Sequence, residues 1–175
     1  MNIKPIKEVK DALIIERDRY DDSRGFFEEV YSSAKIEIEN FSVQQSNLSQ
    51  SSKNVVRGLH QSSYAKLCTC ISGHLFDVMV DLRPHSPTYL NWFGIWLSSD
   101  KPISVYIPGD FAHGFYSAED NTMLLYHIDE IHNPDNVLDI NWLDPTLNID
   151  WPKKSGCILS DKDRDAKTLS ELLTN

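Results

Sequence analysis

Between Asp11 and Ile131 the chain is a succession of short β-prone runs divided by turn residues. DALIIERD stops at YDDSRG and GFFEEVY follows. VVRGL, AKLCTCI, SGHLFDVMVDLR, TYLNWFGIWLS, ISVYIP, GFYSA and TMLLYHIDEI come after it, with Ser-Gly, Pro-His-Ser-Pro and Pro-Gly steps between. Many short strands with turn signals at this spacing predict an all-β sandwich or barrel. Helical patterning is sparse. SSAKIEIENF at 32–41 suits a short helix or an extended segment. SDKDRDAKTLSELLTN at 160–175 sets serine and aspartate caps ahead of Leu169, Leu172 and Leu173, which predicts a C-terminal helix. No repeat, low-complexity tract or linker interrupts the chain, so residues 1–175 read as one unit.

Charge narrows the function classes. With 26 acidic against 17 basic residues and a formal net charge of -9, the chain lacks the basic surface that displaces counterions from nucleic acid. A local basic pocket for one small anion is compatible with that balance. No apolar run approaches the roughly 20 residues that span a bilayer, and MNIKPIKEVKDALII lacks the apolar stretch and cleavage site of a secretory signal. Cys68, Cys70 and Cys157 are an odd number without framework spacing, which suits a reducing cytoplasm. The C-x-C spacing puts Cys68 and Cys70 on one strand face, as core residues.

Period-two alternation is clearest in FDVMVDLR. Phe76, Val78, Val80 and Leu82 share one face, which fits a dry core between sheets. Asp77, Met79, Asp81 and Arg83 share the other, where two carboxylates need water, partners or a ligand. The stretch VVRGLHQSSYAKLCTC poses the same problem more sharply, placing Arg57, His60 and Lys66 within strand-like sequence. Buried polar groups are costly unless paired, so these side chains face water or line a site. Alternation puts Arg57 and His60 on opposite faces, and Gly58 between them allows a bulge that re-aims one. His74 and His85 sit in turn-like SGH and RPHSP contexts and read as surface residues. His113 lies in IPGDFAHGF beside Gly114, and Tyr126 and His127 fall on opposite faces of MLLYHID. His60, Lys66, Asp77, His113 and Tyr126 form a set that a barrel mouth would bring together around one ligand.

Other chemistries are weaker. A metal set of His60, His113 and Asp77 competes, but the cupin pattern of a second histidine two residues after the first is broken by Ser62. There is no G-x-S-x-G, P-loop or G-x-G-x-x-G, which removes the usual signals for a serine nucleophile and for nucleotide or redox cofactors.

Seven segments in order, DDSRGFFEE, QQSNLSQSSKNVVRGLH, AKL, GHLFDVMVDLRPHSPT, IPGDFAHGF, INWLDPTLNIDWP and LSDKD, resemble the dTDP-4-dehydrorhamnose 3,5-epimerase family over roughly residues 15–165. The resemblance implies a double-stranded β-helix, that is a cupin-like jelly-roll barrel with short N- and C-terminal helical segments, and no metal or other cofactor. It implies inversion of C3, C5 or both in a nucleotide-linked 4-keto-6-deoxy sugar, by removing a proton beside the ketone and returning one to the opposite face. By the same resemblance His60 is the base, and an aspartate of LSDKD orients it. Asp163 is chosen over Asp161 and Asp165, with Asp77 as a second partner for His60. Tyr126 matches the family's acid, and Lys66 the group at the keto oxygen. Arg57 and His113 are companions in the pocket. Arg24, Glu28, Gln45 and Asn47 match the segments that bind the nucleotide diphosphate. His132 stands where the family has a second tyrosine by the ligand. Relatives are homodimers with exchanged N-terminal strands, for which GFFEEVY is the candidate.

The resemblance leaves dTDP, GDP and CDP open as the nucleotide. Three rival readings remain: a sugar-nucleotide 3,4-ketoisomerase on the same fold, a metal-dependent cupin oxygenase, and a non-catalytic sugar-nucleotide binding module.

Overall fold

The computed structural model describes residues 1–174. Its first half contains β1 (Asn2–Pro5), β2 (Leu13–Glu16), β3 (Arg19–Asp22), β4 (Gly25–Glu28), β5 (Gln45–Ser51), β6 (Val56–Ser62), β7 (Lys66–Ser72) and β8 (His74–Asp81). Then come β9 (Trp92–Ser98), β10 (Ile103–Ile107), β11 (Phe111–Ser117), β12 (Thr122–Ile128) and β13 (Val137–Asp139). Two short helices, α1 (Asp161–Arg164) and α2 (Leu169–Leu173), close the chain.

The strands build two facing antiparallel sheets, ordered β1-β2-β10-β7-β12-β5 and β13-β6-β11-β8-β9, plus the separate hairpin β3-β4. Apart from β1-β2 and β8-β9, the neighbours in these two sheet orders are not consecutive in the chain, as in the jelly-roll architecture expected from the sequence. Between the sheets, Cys68, Cys70, Val105, Ile107 and Leu124 of the first pack on Leu75, Met79, Leu97, Phe111 and Phe115 of the second.

Both outer faces are covered as well. Residues 31–43 lay Ile36 and Phe41 over Ile15, Leu67 and Tyr106 of the six-stranded sheet. A C-terminal strap lays Ile140, Trp142, Leu147, Ile149, Trp151 and Leu169 over Val56, Leu59, Val78, Val80, Ala112 and Tyr116 of the five-stranded sheet. This covering reverses the expectation for FDVMVDLR. Val78 and Val80 face the strap, while Met79 and the wholly buried Asp77 face the space between the sheets. Alternation identified the two faces, but a sheet covered on both sides gives no hydrophobic contrast from which to tell inside from outside.

The helices also differ from expectation. Residues 32–41 form turns and irregular chain, so both short helices lie at the C-terminal end and the expected N-terminal one is absent. The expected 160–175 helix is two pieces, and its last residue, Asn175, lies outside the described residues. Ser160 caps α1 by accepting from the Asp163 amide, and Thr168 caps α2 in a reciprocal capping box with Glu171. Between them Lys167 bridges Ile140 in parallel, and its carbonyl accepts from the Asn141 amide at 2.9 Å. That extended pairing interrupts the helix.

The strap is anchored by Trp151, whose indole donates to the Trp142 carbonyl at 2.7 Å, with ring centroids 5.8 Å apart. It then runs beside β6, where the Val56 amide donates to the Ile158 carbonyl at 2.9 Å, and delivers α1 to that strand. Replacing Trp151 by alanine opens a large void under the strap. We expect Trp151→Ala to lower the unfolding free energy by about 3–5 kcal/mol in urea titrations; a loss below about 1 kcal/mol would contradict this role for the strap.

Candidate active site

The site begins with two glycines that let β6 and β11 come close. Gly58 has φ +108, and a Cβ there would lie 2.7 Å from both Gly114 Cα and His113 O. The β6–β11 register shifts between His113 and Phe115, the irregularity that Gly58 made possible. Its effect is to bring Arg57 and His60, which alternation separates, to the walls of one cavity. This cavity of about 260 Å³ also takes Lys66 and Tyr126 from the opposite sheet, with His113 and His132 at other parts of its wall.

His60 Nε2 lies 2.6 Å from Asp163 Oδ1. Asp163 is 4% exposed, and its other oxygen accepts from Ser160 Oγ at 2.8 Å. Burial pushes this carboxyl up. The His60 hydrogen bond and charge, with bonds from Ser160 and the Gly58 backbone, outweigh that and hold it below the usual carboxylate range. The carboxylate also fixes the tautomer of the neutral imidazole: Nε2–H donates to Asp163, and Nδ1 then carries the lone pair. Asp161 and Asp165 are exposed, which resolves the choice among the three aspartates in favour of Asp163. Asp77 is not a partner of His60. It sits on β8, two strands from β6, and pairs with His113 on the strand between, Nε2 to Oδ2 at 2.8 Å, leaving Oδ1 buried without a hydrogen bond among the described residues.

Across the cavity, Lys66 is 6% exposed and its ammonium lies 5.2 Å from the centre of the Tyr64 ring. Burial depresses its pKa to about 8, against the fields of Cys68 and Asp77, which raise it. The amine is thus a cation below about pH 8 and neutral above it. Burial pushes the Tyr126 phenol up, so it stays protonated at neutral pH. An acceptor with a lone pair, a desolvated cation and a protonated phenol around one space are the parts needed to move a proton between carbon and protein beside a carbonyl. Among the described residues no three His, Cys, Asp or Glu side chains converge to hold a metal ion. His60 and His113 go to different carboxylates.

The remaining expected residues divide. Arg57 donates to Ser51 Oγ and to the Gln50 carbonyl, both at 3.0 Å. Gln45 and Asn47 bond to each other on the edge strand β5, and Gln45 Oε1 accepts from the His132 amide at 3.0 Å. The His132 ring meets Tyr64, Nδ1 to the phenol oxygen at 2.9 Å. Arg24 and Glu28 do not reach this cavity. Arg24 sits in the β3–β4 turn paired with Asp22, and Glu28 bonds Arg17 and Arg19 at the base of the hairpin. His85 is exposed as expected, whereas His74 is half-buried against Trp96, centroids 4.5 Å apart.

Several wall residues were not foreseen, among them Tyr64, Lys162 and Ser49. Tyr64 stands two before Lys66 and Lys162 one before Asp163, so neighbours of a candidate were the available signal. Asp139, 3.7 Å from His60 Nε2, had none.

A family model described as dTDP-4-dehydrorhamnose 3,5-epimerase matches residues 7–171. The protein of that description from Escherichia coli K12 is 42% identical over 173 residues, covering 95% of this chain and 94% of its own. The one from Methanothermobacter thermautotrophicus is 40% identical over 167 residues, covering 91% and 90%. The crystal structure of a dTDP-6-deoxy-D-glucose-3,5-epimerase from Legionella pneumophila, in complex with dTDP-4-keto-L-rhamnose, superposes with a TM-score of 0.91. It is 38% identical and covers 97% of this chain and 93% of its own. The relatives named are epimerases, so the ketoisomerase, oxygenase and binding-module readings find no support in them.

The depressed lysine is directly measurable. The Lys66 side-chain carbon signal, assigned by its loss in Lys66→Met, should titrate with a midpoint of about 8; a midpoint at the ordinary lysine value of about 10.4 would contradict the desolvated placement.

Proposed function

We propose that this chain, which belongs to the dTDP-4-dehydrorhamnose 3,5-epimerase family, uses the His60 cavity to invert C3 and C5 of a dTDP-linked 4-keto-6-deoxy sugar. The observation that carries the residue assignments is the shared cavity: His60, held by buried Asp163, opens on the same space as Lys66 and Tyr126.

In this reading the carbon beside the ketone gives its proton to His60 Nδ1, and the electron pair moves to the keto oxygen as an enolate. The Lys66 ammonium faces that oxygen and stabilises its charge in a site that water does not screen. Asp163 stabilises the imidazolium. The Tyr126 phenol returns a proton to the opposite face of the carbon, and the enolate collapses to the ketone. Exchange with solvent then restores both groups, and the cycle repeats at the second centre. Arg57 is assigned to the diphosphate, whose oxygens its planar fork fits, with Gln45, Asn47 and His132 toward the nucleotide side. His113, paired with the buried Asp77, lines another part of the wall.

The hairpin supports a second-copy role for Arg24 and Glu28. Tyr20, Phe26 and Phe27 on it are 58%, 56% and 65% exposed, an apolar patch unlike a free surface. A homodimer that exchanges this arm would bury those rings and carry Arg24 to the partner's cavity. We also assign the protein to the cytoplasm, on its three free thiols; among the described residues no helix is long and apolar enough to cross a membrane.

Incubation with dTDP-4-keto-6-deoxyglucose in deuterated water tests the chemistry. The wild type should incorporate deuterium at C3 and C5. His60→Asn should lose incorporation by about 10²–10⁴-fold while still binding dTDP. Tyr126→Phe should keep exchange but lose inversion. Exchange by His60→Asn at the wild-type rate would remove the base assignment. For the arm, light scattering should give a dimer mass, and Phe26→Ser with Phe27→Ser should yield monomers with a raised KM. A wild-type monomer of full activity would rule out the exchanged arm.

A further inference from the structure

Asp139 and Lys162 form an ion pair beside the base that the proposed chemistry leaves unused. Asp139 is directly opposite His60 in the β13–β6 ladder, a position that puts two side chains on one face. Its Oδ1 stands 3.7 Å from His60 Nε2 and 2.9 Å from Lys162 Nζ. Lys162 precedes Asp163 on α1 and lines the cavity. One short helix therefore sends a carboxylate to the base and a cation to the base's second carboxylate.

We propose that Asp139 is a positioning residue that sets the basicity of His60, and that Lys162 switches it: paired to Asp139 in the empty cavity, Lys162 is drawn away by the substrate's diphosphate. The inference rests on the reading of His60 as the base. An ion pair with a solvent-exposed partner is readily exchanged, and Lys162 keeps 52% of its side chain exposed while Asp139 keeps 23%. A diphosphate offers it more charge and more acceptor oxygens than one carboxylate does. Once Lys162 leaves, Asp139 faces His60 with its charge uncompensated and favours the imidazolium. The base would then strengthen only when a substrate is present to react.

The other groups around His60 do not provide this switch. From α1 it meets Asp163, which is bonded to Nε2 directly at 2.6 Å. From β11 it faces His113, already paired with Asp77. Lys66 and Tyr126 stand on the opposite sheet, and Arg57 on its own strand is bonded to Ser51 and Gln50.

The test is the acid limb of the pH–rate profiles. The limb of kcat/KM reports the free enzyme and that of kcat the complex. In the wild type the kcat limb should lie at higher pH. Asp139→Asn should close that gap and lower kcat about three- to tenfold at optimum pH, with KM nearly unchanged. Lys162→Met should raise KM and close the gap from the other side, by moving the kcat/KM limb upward. Asp139→Ser, with thermal unfolding of both Asp139 variants, separates these effects from misfolding. Coincident limbs in the wild type, or an unchanged gap in both Asp139 variants, would overturn the proposal. A His60→Asn variant in the same series keeps the two readings apart. If it is inert while the Asp139 variants match the wild type, only the switch fails. If it still exchanges protons, the base assignment fails.

Discussion

A carboxylate cannot be taken out of water alone, and Asp163 finds its partner in His60, 103 residues away. Much of the outer layer on the five-stranded sheet serves to close that distance. The strap crosses the sheet on Trp142, Leu147, Ile149 and Trp151, runs beside β6 through Ile158, and ends in a one-turn helix capped by Ser160. The cap and the pair are coupled, because the Ser160 hydroxyl serves both the Asp163 amide and the Asp163 carboxylate. The carboxyl's folded pKa lies below its ordinary value. Its contribution to stability is therefore present at neutral pH and is lost as pH falls through the acid range.

The opposite wall follows from a second desolvated charge. Lys66 opens β7 at the cavity, and its buried amine is kept cationic by neighbouring fields rather than by a direct salt bridge. Leaving it without a carboxylate in contact keeps the ammonium available to an oxygen arriving with a ligand. Both walls belong to sheets whose far faces are packed, so the two sets of groups are held by rigid elements. The Gly58–Gly114 approach is what allows His60 to be on such an element and still turn inward.

The all-β class, the strand runs and the convergence of His60, Lys66 and Tyr126 were legible in the sequence. Strands and a barrel mouth constrain side chains by simple alternation, and the motif segments supplied roles. What alternation could not say was which face of FDVMVDLR looks inward, because Val78 and Val80 meet tryptophans of a strap that comes some seventy residues later in the chain. Nor could it pair the carboxylates. Asp77 goes to His113 because β8 and β11 are neighbours, and Asp163 to His60 because the strap delivers α1 to β6; both are properties of topology rather than of local pattern. Asp139 was invisible for the same reason: it sits in a three-residue strand whose importance lies only in its ladder partner. Arg24 and Glu28 matched a binding motif yet stay on their own hairpin, since a motif identifies a segment and not where the fold places it.

The central claim is that His60 and Asp163 act as one base. A double-mutant cycle on kcat/KM with His60→Asn, Asp163→Asn and the two combined tests it most directly. The account predicts strong non-additivity, with the double variant no worse than His60→Asn alone, because without the imidazole the carboxylate has nothing to orient. Additive losses would mean that the two residues contribute separately, and would contradict the claim.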